Sequence, residues 1–89
     1  MNQAKETGRI IEICKETVDI APQGLILYSL IKLDIKNPIY LLTVSHTGDE
    51  AVIVAGRNES ASRNIFNTFV KGKVSPCTAN DIFKDIILS

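Results

Sequence analysis

Tryptophan is absent from the 89 residues, histidine occurs once and cysteine only twice. A structural zinc site takes four ligands from cysteine and histidine, so Cys14, His46 and Cys77, scattered along the chain, do not make one. An excess of charge of either sign is also missing. Ten basic and ten acidic residues cancel, which leaves no long-range field to collect a polyanion or an anionic membrane surface. No stretch approaches the roughly 20 apolar residues of a membrane-spanning helix, and Met1 to Arg9 lacks the apolar segment of a secretory signal. The expected location is the cytoplasm, where Cys14 and Cys77 stay reduced and the sequon Asn58-Glu59-Ser60 goes unused.

What the sequence does contain is enough apolar residue, 45% against 22% charged, to close one small core. A domain of this size buries only about 60 to 65% of the surface its unfolded chain exposes, so a partner subunit would add materially to its stability. The reading is a polar tail over residues 1–9 and one domain over residues 10–89. Ile10 to Ile20 is rich in β-branched residues and reads as a strand, although Ile10, Ile13, Cys14 and Thr17 also fit the period of an amphipathic helix. Ala21-Pro22-Gln23-Gly24 has the chemistry of a turn. Leu25 to Ile35 alternates with a period of two, and Ile39 to His46 forms an almost unbroken apolar run expected of a central strand covered on both faces. Thr47-Gly48-Asp49-Glu50 is the expected hairpin turn, and Ala51 to Ala55 the returning strand.

From Ser60 the period changes to that of a helix. Ile65, Phe66, Phe69 and Val70 share one face, Asn58 or Ser60 is placed to cap the start, and Gly72 to stop the end in a left-handed conformation. Thr78-Ala79-Asn80-Asp81 has the spacing of a capping box before a second stripe of Ile82, Phe83, Ile86 and Ile87, with Cys77 expected to pack on Ile82. The fold class is therefore α+β: an antiparallel four-stranded β-meander followed by two short α-helices packed on one face.

Few residues carry a chemical signal. Cys77 at a helix N-terminus could be activated by the backbone amides, but no histidine or second cysteine stands near it in sequence and packing on Ile82 accounts better for a small apolar residue there, and Cys14 reads as core. Ser45 and His46 are neighbours on a strand and point to opposite faces, so with Asp49 they do not form a triad. Asp49 and Glu50 read as solvated turn charges, and Lys71-Gly72-Lys73 lacks the leading glycine of a phosphate loop. Arg57, Arg63, Lys71 and Lys73 cluster around the first helix, but no aromatic residues interleave with them as a stacking platform for bases.

The run Lys73-Val74-Ser75-Pro76-Cys77-Thr78-Ala79-Asn80-Asp81-Ile82-Phe83-Lys84-Asp85-Ile86-Ile87, preceded by the helix bearing Ile65, Phe66 and Phe69, resembles a family of short uncharacterised proteins from clostridia and related Firmicutes. The resemblance includes the tyrosine-bearing strands at Tyr28-Ser29-Leu30 and Tyr40-Leu41-Leu42, departs at Leu41 where a glycine is expected, and implies no catalytic residue. The functional expectation is a non-catalytic protein-interaction or self-associating module without a cofactor. Two short helices cover only one face of such a sheet, which leaves Ile26, Tyr28, Leu30, Tyr40, Leu42, Val44, Val52 and Val54 as the candidate interface of a homodimer or of a different protein partner. A small enzyme or ligand-binding protein, with Cys77, Tyr28, Tyr40 or His46 at a pocket mouth, and a nucleic-acid-associated regulator using the basic first helix are the alternatives.

Overall fold

A computed structural model describes residues 8–88. Its elements are β1 (Arg9–Asp19), β2 (Leu25–Asp34), β3 (Ile39–His46), β4 (Asp49–Gly56), α1 (Glu59–Gly72) and α2 (Pro76–Leu88). The four strands form one antiparallel sheet in the order β1-β2-β3-β4, so every connection is a hairpin and each strand lies beside its sequence neighbour. The α+β meander is as expected. The segment read as Ile10 to Ile20 is a strand rather than a helix and runs from Arg9 to Asp19, and residues 1–7 of the expected tail lie outside the described residues.

Both helices pack on the same face of the sheet. Ile26, Tyr28 and Leu30 of β2, Tyr40, Leu42 and Val44 of β3 and Ile53 of β4 point toward them and meet Ile65, Phe66 and Phe69 of α1 and Ala79 of α2. Side chains on a strand alternate in direction, so this registration of even-numbered residues on β2 and β3 commits their odd-numbered neighbours to the other side. Ile39, Leu41 and Thr43 are only half-buried there. β3 is thus central in the sheet but covered on one face, not both.

Local chemistry sets the ends of the elements. The β3–β4 hairpin turns on Thr47 and Gly48 alone, both with positive φ, at 42° and 89°. That pattern, positive φ at both central residues, belongs to the tight two-residue hairpin loops whose twist matches the strands. Asp49 and Glu50 consequently belong to β4 rather than to the turn. The β1–β2 turn contains a cis Ala21–Pro22 peptide and closes with the Ile20 N–H donating to the Gly24 carbonyl at 2.8 Å.

Asn58 caps α1, its side chain accepting from the Ala61 N–H at 2.8 Å. The C-terminus of α1 ends one residue later than expected: Lys73, not Gly72, takes the left-handed conformation (φ 52°, ψ 44°). Its N–H reaches the Val70 carbonyl at 3.2 Å, and the Val74 N–H the Phe69 carbonyl at 3.1 Å. This double closure places Val74 against the core. A side chain bearing a Cβ is disfavoured in that conformation by about 1 to 2 kcal/mol. Lys73→Gly is therefore expected to stabilise the fold by about 0.5 to 1 kcal/mol after the added freedom of the unfolded glycine is counted. A urea midpoint for Lys73→Gly at or below that of the parent would contradict it.

α2 also begins a turn earlier than its capping-box spacing suggests. Pro76 is its first residue, where a missing N–H does no harm, and the Thr78 N–H and hydroxyl both donate to the Ser75 carbonyl at 3.2 and 3.3 Å. Pro76 and Ala79 are buried, whereas Cys77 faces solvent and does not staple onto Ile82.

Candidate functional site

The helix-free side of the sheet is the one extended surface that the described fold leaves uncovered. Cross-strand pairing arranges it in rows. Ile10, Leu33 and Ile39 form one row, and Glu12, Ile31, Leu41 and Val54 the next. Lys15, Ser29, Thr43 and Val52 follow, then Thr17, Leu27, Ser45 and Glu50. The apolar part spans β2, β3 and β4, while β1 contributes mostly charged and polar side chains along one margin. Val52 and Val54 are 55% and 59% exposed and Ile10 70%, and Leu25 and Leu27 are exposed too.

Of the eight interface candidates read from the sequence, Val52 and Val54 lie on this face. The other six do not. Ile26, Tyr28, Leu30, Tyr40, Leu42 and Val44 are at most 5% exposed and form the core under the helices. Alternation on β2 and β3 separates two apolar sets, and nothing in the period says which set meets the helices. The residues missed for that reason are Leu27, Ile31, Leu33, Ile39 and Leu41, together with Ile10. Polar margins on β1, Glu12 and Lys15 on the same side as Ile31 and Leu41, were the one signal that this side was the outer one.

The polar candidates are held in structural roles. Tyr28 donates its hydroxyl to the Val74 carbonyl at 2.8 Å, tying β2 to the α1–α2 connection, and burial pushes its phenol pKa up. Tyr40 reaches Glu59 at 3.4 Å. His46 Nε2 lies 2.9 Å from the Gln23 carbonyl and so pins one hairpin to the β1–β2 turn, with the proton on Nε2, since a carbonyl only accepts. A shallow depression of about 270 Å³ lies beside it, lined by Leu27, Ser45, Thr47, Gly48, Asp49 and Glu50 as well as His46.

Cys14 is half-buried and receives a hydrogen bond from Arg63 Nη1 at 3.3 Å. Arg63 also forms a 2.9 Å ion pair with Glu59 one turn away, and its guanidinium pKa is raised by that hydrogen bond first and by the neighbouring Cys14 second. Arg57 donates to the Asn37 and Pro38 carbonyls. The cations expected to form a basic surface are thus distributed: Arg57 at the β2–β3 turn, Arg63 over β1, and Lys71 and Lys73 at the far end of α1. Among the described residues no group of three or more His, Cys, Asp or Glu is arranged to hold a metal ion. No described helix is long and apolar enough to cross a membrane.

One polar group in the core is unpaired. Ser62 of α1 is fully buried, and its hydroxyl has no hydrogen-bond partner among the described residues. A small side chain lets α1 approach the sheet, and alanine would do so without the stranded hydroxyl. Ser62→Ala is expected to raise stability by about 1 kcal/mol. Thermal unfolding of the variant checks this, and an unchanged or lower midpoint would mean that the hydroxyl has a partner such as a bound water.

In comparisons with family models, with curated proteins and with solved structures, the chain matches none.

Proposed function

We propose that this chain is a non-catalytic self-associating module whose working surface is the uncovered sheet face, and that the occupant of that face is a second copy of the chain. The observation that supports this is the contiguous apolar patch formed by Ile31, Leu33, Ile39, Leu41, Val52 and Val54, over which no described element is layered. Monomers seldom expose contiguous apolar patches beyond a few hundred Å². Four strands about 4.8 Å apart and eight residues long at about 3.4 Å each present roughly 500 Å² per copy, or about 1,000 Å² for two, the lower bound of a specific interface. Charge favours self-pairing. The patch centre is neutral, and its margin carries both signs at Glu12, Lys15 and Glu50, so two copies meet without like-charge repulsion at the core of the contact.

The enzymatic alternative has little support in the geometry. Tyr28 and Tyr40 lie in the core instead of at a pocket mouth, Cys77 is exposed on α2, and the depression beside His46 is shallow and open to solvent.

Leu41→Lys tests the reading, because it places a charge at the centre of the patch while leaving the helix side intact. Light scattering at low micromolar concentration is expected to give a parent mass of at least two chains and half that mass for Leu41→Lys. A parent that scatters as a single chain, or one whose mass Leu41→Lys leaves unchanged, would refute it.

A further inference from the structure

Two charged side chains on the margin of the uncovered face have no counter-charge of their own. Glu12 and Lys15 of β1 pair across the ladder with Ile31 and Ser29, which sets them on that face about 7 Å apart along the strand. Both are exposed, and neither makes an ion pair or a side-chain hydrogen bond among the described residues. A separation of three residues would send them to opposite sides of a regular strand. The bulge between Glu12 and Cys14 inserts Ile13 as an extra residue and so brings an acid and a base to the same face.

We infer that these two charges set the register of the self-associated pair: the second copy stacks with its strands reversed and β1 over β1, so that Glu12 of each copy meets Lys15 of the other. The inference rests on the face-to-face contact proposed above and gives it an orientation. A two-fold axis that brings the uncovered face onto its own copy lies in the plane between the two sheets. Sheets stacked in this way keep their strands within about 30° of alignment, so the axis runs either nearly along the strands or nearly across them.

The two axes differ in what they do to the charges. An axis along the strands lays β1 over β4 and leaves each row facing itself. Glu12 then sits over Val54 and Lys15 over Val52, two charges desolvated against apolar side chains without a counter-ion. An axis across the strands lays each strand on its own copy. Centred on the four rows for greatest overlap, it sets the row of Glu12, Ile31 and Leu41 against the row of Lys15, Ser29 and Thr43. Glu12 then faces Lys15 twice, and Ile31 and Leu41 stand over the smaller Ser29 and Thr43, the alternation by which facing layers interdigitate. Stacked sheets lie about 10 Å apart, a gap that a glutamate and a lysine span together. Glu50 stays in water, because no β4 residue pairs with Ile39 to oppose it at that corner.

Two single variants and their mixture test the register. Glu12→Lys makes the β1 margin wholly basic on this face, and Lys15→Glu makes it wholly acidic. By sedimentation equilibrium each is expected to self-associate about tenfold more weakly than the parent, since both contacts turn repulsive. An equimolar mixture of the two is expected to recover the parent's affinity, because every contact between unlike variants joins opposite charges. A charge effect confined to one chain cannot produce that recovery, and an axis along the strands holds the two β1 margins apart and gives none. Sodium chloride at about 1 M should erase the differences among the samples. A mixture no tighter than the variants alone overturns the register, while a two-chain parent in the same experiment leaves the face-to-face contact standing. A single-chain parent removes both. If circular dichroism shows that either reversal does not fold, Glu12→Gln and Lys15→Gln take their place. Each should flatten the salt dependence of the parent's association, and an unchanged salt dependence would equally overturn the inference.

Discussion

Phe69→Ala is expected to destabilise the protein by about 3 to 5 kcal/mol, enough to unfold much of the population at room temperature in a domain of this length. Phe69 is fully buried, midway between Phe66 and the Val74 that closes the helix end, and it faces the Tyr28 side of the sheet. Deleting the ring removes its transfer free energy and leaves a cavity that α1, held by its cap at Asn58 and its closure at Lys73, cannot collapse to fill. The carbonyl of Phe69 still accepts from Val74 in the variant, so the loss is one of packing rather than of the helix end. Phe83 provides the internal comparison. It is only half-buried, and Phe83→Ala should cost clearly less. Urea unfolding that ranks Phe83→Ala as the more damaging of the two would show that the core is centred under α2, contrary to the burial described.

Tyr28→Phe should cost about 1 to 3 kcal/mol, with a pH dependence that separates it from a packing defect. The ring volume is preserved, so no cavity forms. What is lost is the 2.8 Å hydrogen bond to the Val74 carbonyl, which then lies buried without its donor. Burial raises the phenol pKa in the folded state, which means that folding favours the neutral hydroxyl. The sign of the linkage follows: the contribution is complete below the unfolded phenol's ordinary pKa of about 10 and is lost as pH rises from there through the folded value. The stability gap between parent and Tyr28→Phe should therefore hold from neutral pH to about 9 and narrow above 10. Urea titrations at neutral and strongly alkaline pH measure it. A gap that stays constant across that range would mean that the phenol ionises equally well in both states.

The strands and helices were legible because their patterns differ in period. Leu25, Leu27, Ile31 and Leu33 alternate, Ile65, Phe66 and Phe69 recur at helical spacing, and the Thr47-Gly48 pair punctuates the hairpin. The side of the sheet that meets the helices was not legible, because Ile39 and Leu41 are as apolar as Tyr40 and Leu42. Helix ends were misplaced by one residue or one turn for an identifiable reason. Had Gly72 been the left-handed residue of α1, Lys73 would have occupied the position that packs against Phe69; moving the closure to Lys73 puts Val74 there instead. Likewise, starting α2 at Pro76 places Pro76, Ala79, Phe83 and Ile86 on one stripe, which a start at Thr78 would have shortened by a turn. In both cases tertiary burial overrode a good local signal. Cys77, exposed as a consequence, shows how a one-turn shift converts an expected packing residue into a surface one.

The strand order β1-β2-β3-β4 has a consequence for the chain while it is being made. Every strand pairs with the one synthesised just before it, so loop closure is short and the sheet can assemble stepwise as the chain lengthens. The helices that cover its core come last. At about 5 to 20 residues per second, the roughly 30 residues of α1 and α2 take about 2 to 6 s to appear, and hairpins close in microseconds. For those seconds a nascent sheet would show water both its faces, including Ile26, Tyr28, Leu30 and Leu42, and its β4 edge would be the most recently made and least protected strand. The arrival of α1 and α2 is therefore the step that takes this apolar face out of reach of other chains.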